Sequence, residues 1–156
     1  MQNPYIFNLR LKNRKIESWT EFKSGKILAT LSSPLTGSDY KIYVITWQKN
    51  IVYIGTTRDR IKNRLNSGLK GSPKKGYHGY KWKDQEEIRV FIWNFPALNK
   101  EQTENIEAEL AYIVRKKTGK WPKFQNEIHF NNKYEQKGKH MAENIYETVM
   151  DNLNLT

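Results

Sequence analysis

The chain has 156 residues, enough for one domain with a sizeable core, and its 27 Lys and Arg against 16 Asp and Glu give a formal net charge of +11. The basic residues recur along most of the chain, which implies a folded basic surface and a polyanionic partner, nucleic acid ahead of an anionic membrane or an acidic protein. The lack of cysteine excludes disulfides, thiolate metal sites and a cysteine nucleophile; three scattered histidines argue against a zinc cage, and no apolar run reaches the ~20 residues that span a bilayer, so a soluble cytoplasmic protein is expected.

Taken in chain order, Tyr5, Phe7, Leu9 and Leu11 alternate as in a strand, and mixed polar sequence with a turn at SSPLTGSD completes a leading segment, 1–40. Residues 41–47 and 51–55 are rich in Ile, Val, Tyr and Thr and are joined by QKN, which predicts an antiparallel hairpin. Gly55 ends the second strand, and TTRDRIKNRLN reads as a basic helix with Ile61 and Leu65 on one face. The glycine-rich SGLKGSPKKGYHGYKWKD is predicted to be a long surface loop of the functional kind. EIRVFIWNF supplies a third strand. Asn99 with Gln102 then caps a helix whose buried stripe is Ile106, Leu110, Ile113 and Val114, and Gly119 and Pro122 stop it. NEIHF looks extended, and MAENIYETVMDNL forms a terminal amphipathic helix through Ile145, Val149 and Leu153. The sum is an α/β (α+β) domain over 1–156, a three-stranded antiparallel sheet flanked by helices. It divides into an N-terminal extension (1–40), a core (41–130) and a C-terminal helical extension (131–156).

KIYVITWQKNIVYIG, residues 41–55, places one tyrosine on each strand of the hairpin, and an arginine, a glutamate and an asparagine follow in order. This set resembles the signature of the GIY-YIG nuclease superfamily, KIY standing for the first triplet and YIG for the second, over about residues 41–130. The resemblance implies hydrolysis of a DNA phosphodiester with one divalent cation per active site, Mg2+ or Mn2+, held largely by the glutamate. The chemistry agrees: an attacking water needs a base and the phosphorane-like transition state needs positive charge, and Mg2+ makes do with one carboxylate plus substrate oxygens and water.

In that frame Tyr43 is the general base or positions the water, Tyr53 lines the site, and Gly55 permits close backbone approach or a tight strand exit. A tyrosine pKa near 10 would need a nearby cation to serve as a base. Arg64 in IKNRLNS best matches the arginine position, where a planar guanidinium clamps phosphate oxygens, while Arg58 and Arg60 contact backbone phosphates or solvate the helix. Glu107 and Glu109 flank the helix stripe from opposite sides, so periodicity does not choose between them. Glu109, followed by Tyr112 and Ile113, fits the family pattern better as the metal ligand, with Glu107 as the alternative. Asn126 stands at the late asparagine, although it is also a common turn residue. His78 either assists proton transfer or is a surface histidine; His129 is expected to make a structural hydrogen bond. In the long loop, Lys74, Lys75 and Lys81 alternate with Tyr77, Tyr80 and Trp82, a composition suited to phosphate contacts with base stacking, or to pinning the loop on the core.

Short segments wrapping the core at both ends, instead of a large separate DNA-binding domain, point to the type II restriction endonuclease-like branch, where a palindromic target implies a homodimer. The rivals are a nuclease selective for branched or single-stranded DNA in repair or mobile elements, an enzyme acting on RNA, and a non-catalytic nucleic-acid-binding module.

Overall fold

The computed structural model describes residues 1–76, 78–125, 128, 130 and 135–155. Strands β1 (Tyr5–Lys12) and β2 (Lys15–Glu21) form a hairpin through Asn13 and Arg14, both at positive φ (51° and 57°), the backbone a two-residue turn demands. A two-residue strand β3 (Ile27–Leu28) pairs with β2. The hairpin of β4 (Tyr40–Trp47) and β5 (Asn50–Thr57) turns at Gln48 and Lys49, again both at positive φ, and β6 (Glu87–Phe95) pairs with β4 on one side and β1 on the other. The result is one six-stranded antiparallel sheet in the order β3-β2-β1-β6-β4-β5.

The three strands expected from the sequence, β4, β5 and β6, are therefore half of the sheet. Residues 1–40, expected as an extension, supply the other half, because β1 closes the open edge of β6 by antiparallel pairing along most of its length.

Among the described residues three α-helices cover this sheet: α1 (Ile61–Leu69), α2 (Lys100–Thr118) and α3 (Glu135–Asn154). Alternate residues of each central strand point to opposite faces. Ile42, Val44, Ile54, Phe91 and Trp93 meet Ile106, Leu110 and Val114 of α2 and Ile145 and Val149 of α3 on one face. Tyr43, Ile45, Tyr53, Val90 and Ile92 meet Ile61, Leu65 and Leu69 of α1 on the other. α2 starts at a complete capping box, Asn99 Oδ1 accepting from Gln102 N–H at 2.9 Å and Gln102 Oε1 accepting from Asn99 N–H at 3.0 Å, and stops at Gly119 with φ 79°. α1 begins five residues later than expected, since Thr56 and Thr57 stay in β5 and the Thr57 hydroxyl accepts from the Asp59 N–H.

β5 is an edge strand, and its free side is dressed by the segment that follows α2. Phe124 N–H donates to the Val52 carbonyl at 2.7 Å, and the Gln125 side-chain amide takes both polar groups of Ile54, accepting from its N–H at 2.9 Å and donating to its C=O at 3.0 Å. One amide thus stands in for a partner strand at this position.

Candidate active site

Tyr43 and Tyr53 point to the same sheet face, where α1 packs, with ring centroids 6.0 Å apart. Tyr43 pairs across the ladder with Gly55. A Cβ at Gly55 would come within 2.5 Å of Tyr43 Cζ and Oη and 2.9 Å of Tyr53 Cε1, so the missing side chain is the space the two rings occupy. This corrects the sequence reading of Gly55 as a strand end: β5 runs on to Thr57, and the glycine serves the tyrosines.

Arg64, half-buried on α1, brings its Nε to 3.4 Å from the Tyr43 hydroxyl, which also shares a hydrogen bond of 2.8 Å with the Tyr80 hydroxyl. The Arg64 guanidinium lies 5.7 Å from the centre of the Tyr80 ring. Burial pushes the Tyr43 hydroxyl well above its ordinary pKa; Tyr80 adds to the rise and Arg64 opposes it. Tyr53 is also raised, again first by burial and then by Tyr43 and the Glu107 carboxylate, with Arg64 opposing.

Of the two candidate glutamates among the four on α2, Glu107 lies in the fields of Tyr53 and Arg64. Its carboxylate accepts from the Thr56 side chain and lies in the fields of Arg64 and Glu104; burial lifts its pKa to about 7, with Thr56 and Arg64 pulling the other way. Glu109 is two residues on, roughly 200° around the helix, and both residues are half-buried. The carboxylate thus reaches the tyrosine–arginine cluster around the edge strand, at the C-terminal end of β5. Among the described residues no three His, Cys, Asp or Glu side chains cluster as a dedicated metal cage.

Tyr80 and Trp82 of the loop belong to the core. Tyr80 and Trp82 are 1% and 0% exposed and stacked at 4.4 Å; Tyr80 meets Tyr53 edge-on at 5.2 Å, and Trp82 lies tilted to it at 6.4 Å. Their burial overturns the stacking platform expected of them and favours the pinned-loop reading. Glycines make it possible: the Tyr80 N–H donates to the Gly68 carbonyl at 2.9 Å, the Tyr80 ring fills the space above Gly68, and Gly71 and Gly79 cross in backbone contact. A Cβ at Gly68 would overlap the Tyr80 ring, so Gly68→Ala should cost about 1–3 kcal/mol of stability and displace the phenol that holds Tyr43. Chemical denaturation with a cleavage assay on the same sample checks both; unchanged midpoint and rate would overturn the packing described.

The basic residues fall into different settings. Arg58 donates from Nε to the Ser38 carbonyl at 3.1 Å and lies over the Tyr40 ring, whereas Arg60 and Lys74 are exposed. Lys81 Nζ reaches the Gln125 carbonyl at 3.4 Å. The His78 ring is exposed, and its backbone carbonyl accepts from Lys83 Nζ at 2.8 Å. Tyr77, Asn126, His129 and the side chain of Lys75 lie outside the described residues.

One residue at the site and one buried at the start of the first triplet escaped the sequence reading. Thr56 was assigned to a helix, yet its hydroxyl holds Glu107. Lys41, which opens the first triplet, is 0% exposed, with Nζ donating to the carbonyls of Gly37 at 2.8 Å and Asp39 at 2.7 Å; burial lowers its pKa. A lysine within an apolar β run was the available signal for it.

The family described as GIY-YIG catalytic domain matches residues 39–123, more than half of the chain. Comparison with curated proteins and with solved structures gives no match.

Proposed function

The chain belongs to the GIY-YIG nuclease family and is an endonuclease, a phosphodiester hydrolase acting on nucleic acid, and on that premise we propose that it cuts duplex DNA at a defined sequence with one Mg2+ or Mn2+ per active site, as a restriction endonuclease does. The observation that carries the metal-dependent chemistry is the Glu107 carboxylate, held by Thr56 beside Arg64 and Tyr53 at the end of the edge strand.

The donor set suits a hard cation. A carboxylate with neighbouring hydroxyls offers oxygen only, and Mg2+ fills its remaining positions with water and phosphate oxygens. A carboxyl lifted to about 7 by burial gains a counter-charge when a dication binds beside it. We therefore assign the metal to Glu107, in place of Glu109, which the sequence pattern favoured. When bound, the cation supplies the positive charge that the transition state needs at phosphorus.

The chain's own residues do the rest. Arg64 clamps a phosphate oxygen and, through Nε, keeps the Tyr43 phenol aimed. Tyr43 orients the attacking water as a neutral phenol, and Tyr53 forms the wall against the scissile phosphate. Tyr80 is a positioning residue acting through Tyr43. Gln125 is anchored on Ile54 at the free side of β5, and Asn126 takes the phosphate-binding role that the family resemblance implies. Exposed Arg60, Lys74 and Lys81 contact backbone phosphates along the flank.

Residues 1–156 act as one domain, and a palindromic target would be cut by a homodimer. Among the described residues no helix is long and apolar enough to cross a membrane.

Incubation with long duplex DNA and Mg2+ tests the proposal. Discrete fragments that disappear with chelator are expected. A smear, or cutting confined to flaps, junctions, single strands or RNA, would overturn the sequence-specific duplex reading, and cutting that survives chelator would overturn the metal.

A further inference from the structure

Beyond the catalytic cluster, the same edge of the sheet carries a groove of about 410 Å3 between the β4–β5 turn, the end of α2 and the face of α3. Its apolar walls are Trp47, Trp121, Tyr146 and Met150. Its rim carries Lys49, Lys120 and Lys123, and among the described residues no carboxylate lines it.

These side chains have no part in the chemistry described above. Trp121 is 41% exposed although the described tryptophans Trp19, Trp82 and Trp93 are buried, and the Arg115 guanidinium sits 5.2 Å from its ring centre. Trp47 is half-buried, with Lys123 Nζ 4.9 Å from its ring centre. The groove joins an open aromatic surface to ammonium groups.

We propose that this groove binds an unpaired nucleobase of the substrate strand, stacked on Trp121 and Trp47, with its flanking phosphates on Lys49, Lys120 and Lys123. The proposal rests on the nucleic-acid substrate of the preceding section and adds how that substrate is held. Shape and charge select this occupant. A duplex buries the faces of its bases and offers a phosphate ridge, whereas an extruded or single-stranded base presents a π-face, and aromatic side chains beside lysines are the elementary means of holding one. The basic rim favours an anionic occupant, and the nucleic-acid substrate of the family supplies one.

Position supports the same occupant. Tyr53 is two residues along β5 from Ile51 at the groove, about 7 Å, and Glu107 is eleven residues along α2 from Thr118, about 16 Å. A strand with its scissile phosphate at the tyrosines, passing outside the Phe124–Gln125 segment that covers the β5 edge, reaches the groove within a few nucleotides.

The test is fluorescence anisotropy of the full chain, in chelator, with a short labelled single-stranded oligodeoxynucleotide and with the blunt duplex of the same sequence. Trp121→Ala should weaken single-strand binding roughly tenfold and duplex binding far less, Trp121→Phe should restore most of the loss, and Lys120→Ala should lower the salt dependence by about one ion. Single-strand binding that ignores Trp121, or equal loss on both DNAs, overturns the proposal. So does a dimer that Trp121→Ala converts to monomer without changing DNA affinity, since the groove would then join two copies. Sequence-specific cleavage of duplex DNA together with single-strand binding that ignores Trp121 sinks the groove and leaves the proposed function; Trp121-dependent single-strand binding without cleavage in any divalent metal does the reverse.

Discussion

Glu107→Gln is expected to leave a folded protein whose cleavage rate falls by about three orders of magnitude, the loss of roughly 4 kcal/mol of transition-state stabilisation, while Glu109→Gln stays within about threefold of wild type. Glutamine keeps the shape and can still meet the Thr56 hydroxyl, so packing at the β5 end survives and the missing negative charge is what the assay reads. The reverse pattern, with Glu109→Gln dead and Glu107→Gln active, would return the metal to Glu109.

The same variant has a signature in stability, measured without metal. Glu107 takes up its proton at about 7 in the folded chain against 4.5 in the unfolded one. Between those values the folded state holds the extra proton, so stability declines as pH rises from about 4.5 to about 7 and then levels, by an amount on the order of 3 kcal/mol at most. Glu107→Gln should flatten that decline and melt above the wild type at pH 8, which is above the window. A lower melting point there would mean that burial does not lift this carboxyl.

The difference between the two glutamates explains why the sequence stops short of the site. Glu107 and Glu109 flank the Ile106–Leu110–Ile113 stripe symmetrically, and what separates them is how α2 sits over the β5 edge, a tertiary fact with no local code. Tyr43, Tyr53 and Gly55 were legible as a group because their spacing along two paired strands is local. The missed strand β2 has a local cause too. Ile16 and Trp19 are three apart, which breaks the period of two, but the register shifts at Arg10/Leu11, so that Leu11 pairs with Ile16 and Leu9 with Trp19, all on one face. One extra residue, Glu17, hides the strand from a pattern reader. In the long loop, lysines between aromatic residues suggested bound nucleic acid, yet Tyr80 and Trp82 are buried while Lys81 between them stays exposed, a placement set by the packing of the loop on Gly68 and Tyr53. The same residue types at Trp47, Trp121 and Lys123 gave no signal, because they meet only when the β4–β5 turn comes beside the end of α2.

Tyr43→Phe is expected to reduce cleavage by about a hundredfold or more while costing about 1 kcal/mol of stability, because the ring stays packed and only the bonds to Tyr80 and Arg64 are lost. The shape of the pH–rate profile then separates two roles. A phenol held well above its ordinary pKa by burial does not ionise near neutrality, so wild type and Tyr43→Phe should show the same ascending limb, displaced downward as a whole. Were Tyr43 the phenolate base, its removal would abolish a limb that wild type possesses, and the neutral-phenol role would fall. Tyr80→Phe gives the matching control: it removes one partner of the Tyr43 hydroxyl and leaves Arg64 Nε in reach, so its loss should be smaller and should vanish when combined with Tyr43→Phe. Additive losses in that double variant would mean that Tyr80 acts on the reaction by a route other than Tyr43.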